Sequence, residues 1–100
     1  MKNKYKIITL CGSVKFKEEF LKTQEELTLD GNIVLTPNFF TKKLDMNKEF
    51  KTMLDEMHRQ KIDMSDEIYV INLGGYIGES TKSEIEYAKS KGKEVVYLEN

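Results

Sequence analysis

One hundred residues, 39% hydrophobic and 33% charged with a net charge of -1, describe one soluble globular domain over residues 1–100. That balance offers no basic footprint for a nucleic-acid backbone, which excludes DNA and RNA as expected partners. No stretch approaches the ~20 apolar residues of a membrane span. The basic start Met1-Lys2-Asn3-Lys4 leads into too short an apolar run for a signal peptide. The single cysteine, Cys11, forbids an internal disulfide and fits a reducing cytoplasm. A domain this small buries only roughly two thirds of its unfolded surface, so a homo-oligomer is expected.

Tyr5 to Leu10 reads as a strand ending in the turn Cys11-Gly12-Ser13. Phe16, Phe20, Gln24 and Leu27 recur at helical spacing, and Gly31 closes that helix. Asn32 to Thr36 is a second strand, stopped by Pro37. Pro37 to Asp45 is a loop carrying Phe39 and Phe40. A second helix, capped by Asp45, runs from Met46 towards Met64, with its methionines as core fillers. Ile68 to Leu73 is a third strand. After Gly74, Gly75 and Gly78, a third helix covers Ser80 to Lys91, Gly92 ends it, and Glu94 to Leu98 is a fourth strand. The alternation predicts an α/β fold: a small flavodoxin-like or Rossmann-like parallel sheet in the order 2-1-3-4, with helices on both faces. In that order the turns after strands 1 and 3 meet at the topological switch, where ligands bind.

Both turns suit an anion. Glycines and hydroxyls at a strand-to-helix junction leave backbone N–H groups free beside the positive end of the helix dipole. Gly12, Ser13 and Lys15 form one candidate phosphate site; Gly74, Gly75, Gly78, Ser80 and Thr81 form the other. Ser13 also reads as a plain N-cap and Lys15 as a solvated charge. Glu84 has two readings. Thr81-Lys82-Ser83-Glu84 fits a capping box, and a carboxylate aimed at the same crevice can attack or stabilise a sugar carbon. His58 reads either as a residue facing the crevice or as a surface histidine. Asp55, His58, Asp63 and Asp66 lack the convergent ligands that a metal needs, so neither metal nor cofactor is expected. Cys11 reads as a buried inert thiol. The glycine pattern is not the dinucleotide fingerprint and follows the wrong strand for it.

Three segments together resemble the nucleoside 2-deoxyribosyltransferase-like superfamily, which includes the deoxynucleoside monophosphate N-glycosidases: Leu10-Cys11-Gly12-Ser13-Val14-Lys15, Ser65-Asp66-Glu67-Ile68-Tyr69-Val70-Ile71, and Gly78-Glu79-Ser80-Thr81-Lys82-Ser83-Glu84-Ile85-Glu86-Tyr87-Ala88. The resemblance covers nearly the whole chain. It implies that Glu84 is the nucleophile at the anomeric carbon, that Gly12, Ser13 and Lys15 hold the 5′-phosphate, and that a neighbouring subunit completes the site. Thr9 stands where the family has a tyrosine near the end of strand 1, a substrate-contacting position. His58 stands where it has an aspartate near the leaving base, so it takes the place of the proton donor. The implied activity is hydrolysis or transfer at the N-glycosidic bond of a nucleoside or its 5′-monophosphate. The alternative is a non-catalytic nucleotide-binding module on the same fold.

Overall fold

The structure is a computed structural model that describes residues 4–100. Residues 1–3 of the basic start lie outside the described residues.

Four strands, β1 (Ile7–Gly12), β2 (Ile33–Leu35), β3 (Glu67–Ile71) and β4 (Glu94–Tyr97), alternate with three helices, α1 (Lys17–Leu29), α2 (Lys48–Asp63) and α3 (Glu79–Ser90). All strand pairs are parallel and the order is β2-β1-β3-β4, as the sequence pattern predicts. The register sets Thr9 beside Leu35 and Ile68, and Gly12 beside Ile71. The turns after β1 and β3 therefore emerge side by side.

Strand alternation sorts β1 between two cores. Ile8 and Leu10 pack with Phe20 of α1 and with Ile71 on one face; Cys11 packs with Ile62 of α2 and with Ile85 and Ala88 of α3 on the other. Positive-φ glycines close α1 and α3 at Gly31 and Gly92, as predicted. Asn47, not Asp45, caps α2, accepting from the Phe50 N–H at 2.9 Å. Asn38, Phe39 and Phe40 sit in an irregular connection between β2 and α2, tied down by Lys61. The Lys61 ammonium donates to the Thr36 carbonyl at 2.7 Å and to Asn38 Oδ1 at 3.2 Å.

The methionines correct the sequence reading. Met46, Met53, Met57 and Met64 are all exposed, and only His58 and Ile62 of α2 are buried. The helix turns Leu54, His58 and Ile62 inward. Met53, Met57 and Met64 fall on an adjacent arc that nothing covers. Among the described residues, no helix is long and apolar enough to cross a membrane.

Candidate active site

Gly12 ends β1 with φ of +152°, a conformation that favours glycine. A Cβ there would stand 2.9 Å from the Ile71 carbonyl oxygen and 3.2 Å from the Phe20 ring. The chain can turn away from the sheet at this point only because no side chain intervenes. Ser13 follows, and its hydroxyl accepts from the Lys15 N–H at 3.3 Å, capping a single 3-10 turn over Val14–Phe16 before α1 begins.

After β3 the chain makes a 3-10 turn over Leu73–Gly75, with Gly74 and Gly75 both at positive φ. Glu99 clasps this turn from the far end of the chain: Asn72 and Glu99 exchange two hydrogen bonds at 2.8 and 2.9 Å, and the Gly74 N–H donates to the Glu99 carboxylate at 3.1 Å. α3 then starts at Glu79 with Gly78 as an uncapped N-cap. Its first N–H groups have no intrahelical partner, which leaves them available to an anion.

Between these turns lies a cavity of about 650 Å³, within the range of small-molecule sites. Its polar wall comes from Gly12, Ser13 and Lys17 and from Gly78 to Thr81. Its apolar wall comes from Pro37, Phe39 and Phe40 after β2, with Met46 and Leu54. Asp55, His58 and Glu84 also line it. It therefore opens at the carboxyl ends of β1, β2 and β3, the position expected for a ligand at the switch of such a sheet.

Glu84 occupies the second turn of α3, not its third residue, because the helix begins at Glu79. The capping box is therefore not formed. The carboxylate instead lies 3.6 Å from His58 Nε2, and Cys11 Sγ lies 3.4 Å from the same nitrogen. Burial raises the Glu84 pKa from 4.5 to about 7; a hydrogen bond from Cys11 opposes the rise and Asp55 adds to it. Burial, helped by the Lys61 charge, lowers His58 to about 4. Burial and the neighbouring Glu84 carboxylate push the Cys11 thiol well up. Near neutral pH the 3.6 Å contact is thus between a carboxyl group and a neutral imidazole, not an ion pair.

A family profile, the domain of unknown function DUF4406, matches residues 7–97. The chain belongs to the DUF4406 family. Among solved structures, a 2-deoxyribosyltransferase from the psychrotolerant bacterium Bacillus psychrosaccharolyticus superposes with a TM-score of 0.72 at 19% sequence identity, over 91% of this chain and 70% of that one. That enzyme is described as a biocatalyst for the synthesis of antiviral and antitumoral nucleosides. The likeness establishes a nucleoside 2-deoxyribosyltransferase-like fold for this DUF4406 chain. No curated protein matches it.

Within this DUF4406 fold, the residues singled out in the sequence divide into two groups. Gly12, Ser13, His58, Gly78, Ser80, Thr81 and Glu84 converge on the cavity. Thr9, Lys15, Gly74 and Gly75 do not line it. Thr9 is fully buried under the end of α2, with its hydroxyl bonded to Ser65 and to the Lys61 carbonyl, 3.1 Å away. The Lys15 ammonium sits 3.6 Å from the centre of the Tyr76 ring, a cation–π contact, and Lys17 reaches the cavity in its place. Gly74 and Gly75 serve the turn clasped by Glu99. The apolar wall went unassigned in the sequence, although the paired Phe39 and Phe40 beside Pro37 were its visible signal. The meeting of Cys11 with His58 and Glu84 left no signal, since the three are dozens of residues apart on different elements.

Proposed function

We propose that this chain cleaves or transfers at the N-glycosidic bond of a nucleoside or nucleoside 5′-monophosphate, with Glu84 as the nucleophile. The observation that carries this reading is the Glu84 carboxyl in the cavity wall, free of any capping role. One Glu84 oxygen attacks the anomeric carbon and the carbon–nitrogen bond to the base breaks. Its electron pair stays on the base, which takes up a proton. Water, or a second base, then displaces Glu84 from the glycosyl ester. Phe39, Phe40 and Leu54 offer a flat apolar seat for the base. The proton comes from water, because His58 is neutral above about pH 4; Asp55, one turn before His58 on α2 and in the cavity wall, can orient that water towards the leaving nitrogen. Ser13, Lys17 and the free first turn of α3 suit a phosphate, which favours the monophosphate over the free nucleoside. We place the reaction in the cytoplasm, where phosphorylated nucleosides and a reduced Cys11 coexist, and in a homo-oligomer.

The test is chromatography of nucleosides and 5′-monophosphates incubated with wild type and with Glu84→Gln. Free base released by wild type alone is the expected result. Base release that persists in Glu84→Gln rejects the nucleophile. One feature favours the non-catalytic nucleotide-binding module: burial raises the Glu84 pKa to about 7, which weakens it as a nucleophile below that pH. That reading predicts a nucleotide-dependent rise in melting temperature with no base released.

A further inference from the structure

Cys11, His58 and Glu84 form, among the described residues, a group whose ligand atoms all lie within 4.8 Å of one another. We propose that this group is a binding site for a single zinc ion, or a cation of the same borderline softness, with its fourth position open to the cavity. The donor set is one thiolate, one imidazole nitrogen and one carboxylate oxygen, which suits zinc and not the all-oxygen preference of magnesium or calcium. The spacing fits as well. Zinc bond lengths of ~2.0–2.3 Å at tetrahedral angles put pairs of donor atoms roughly 3.4–3.6 Å apart. Sulfur to nitrogen here is 3.4 Å and nitrogen to oxygen is 3.6 Å; sulfur to oxygen lies within 4.8 Å, so the ion would draw that pair together.

The three ligands come from β1, α2 and α3, so the packed core holds them with little freedom to spread apart. His58 and Glu84 border the cavity, which supplies an entry path. Binding displaces the Cys11 proton, and the Glu84 proton where it is present, to solvent; His58 binds as the neutral imidazole. The site also gives Cys11 a role that glycosidic chemistry does not. One consequence rests on the function proposed above: zinc occupies the attacking oxygen, so the loaded protein is inhibited and chelation restores it.

The decisive experiment is titration of Co²⁺ into the chelator-treated full chain, followed by absorption spectroscopy. Cys11 is the single cysteine of the chain, so a thiolate-to-cobalt charge-transfer band can arise nowhere else. The expected result is such a band saturating at one equivalent, with the strong visible absorption of a four-coordinate ion, and its loss on adding Zn²⁺. Cys11→Ser should weaken Zn²⁺ binding in calorimetry at least as much as losing an outer-shell partner does, ~10–100-fold. No charge-transfer band at saturating Co²⁺, or Zn²⁺ affinity unchanged in a folded Cys11→Ser protein, overturns the proposal. Neither readout depends on turnover. Base release by the chelator-treated chain without a cobalt band on titration rejects the zinc site alone, and a cobalt band with no base release from the chelator-treated chain rejects the glycosidase alone.

Discussion

Moving the Glu84 carboxyl from water into the cavity wall raises its pKa from 4.5 to about 7, and this has consequences for both stability and rate. Between those values the folded chain holds a proton that the unfolded chain has released. Stability from this group therefore falls as pH rises through the window, by at most about 3 kcal/mol. His58 runs the other way: its folded value of about 4 lies below 6.5, so its contribution is lost as pH falls from about 6.5 to 4. From about pH 4.5 to 6.5 the two slopes cancel. Glu84→Gln removes only the first. In urea titrations the variant should be more stable than wild type at pH 8, by about 1–3 kcal/mol. Its stability should then decline with acidification below about pH 6.5, where wild type stays level. A variant less stable than wild type at pH 8 would mean that the carboxylate supports the fold. If the ionised carboxylate attacks, base release in chelator-containing buffer should climb as pH passes about 7; a rate that is flat from pH 6 to 8 would count against that role. Gly12 is the other exacting position. Gly12→Ala meets the Ile71 carbonyl at 2.9 Å with φ of +152°, and should cost about 1–3 kcal/mol in the same titrations.

At the scale of elements, the apolar wall has no strand or helix of its own between Pro37 and Asn47 and depends on its neighbours. Phe39 stacks edge-on against Phe20 at 5.5 Å, Phe40 leans on Phe50 at 6.2 Å, and Lys61 bonds to Thr36 and Asn38. Lys61 is thus a strap from α2 to the loop, and partial burial lowers its pKa. Lys61→Met keeps the stem and removes the bonds. It should lower stability by roughly 1–2 kcal/mol and raise KM more than it lowers kcat, because the loop meets the ligand while Glu84 stays in place. An equal fall in kcat would place Lys61 nearer the chemistry than the strap implies. The strands and helices were legible because their apolar periodicity is strong and glycine marks the ends of α1 and α3. The strap was not, since a lysine in an amphipathic helix gives no sign of which carbonyl it will find. The capping-box reading set the N-cap of α3 at Thr81, three residues past the observed Gly78, enough to turn Glu84 from a cavity residue into a capping residue on paper.

At the scale of the molecule, strand order followed from alternation and crossover handedness, and with it the meeting of the β1 and β3 turns. The exposed methionines did not, because periodicity reveals that a face is apolar and not what covers it. Phe50, Met53, Met57 and Met64 extend the covered arc of α2 towards solvent, and Met53 is 44% exposed. The same helix carries Leu54, Asp55 and His58 into the cavity, so a second copy seated on this arc would also wall the site, in keeping with the proposed homo-oligomer. Sedimentation of Met53→Lys/Met57→Lys should yield a lighter species than wild type, with reduced base release. Equal sedimentation of the two proteins would place any interface elsewhere.

Because the lone thiol is completely enclosed, a maleimide reagent can react with Cys11 only when the packing of β1 against α2 and α3 transiently opens. Its alkylation rate is therefore a clock for local breathing of the site, readable by mass spectrometry without an assay for turnover. Any molecule that settles in the cavity and holds those elements together should slow that clock, so unknown ligands can be ranked by how long they delay a single covalent mark.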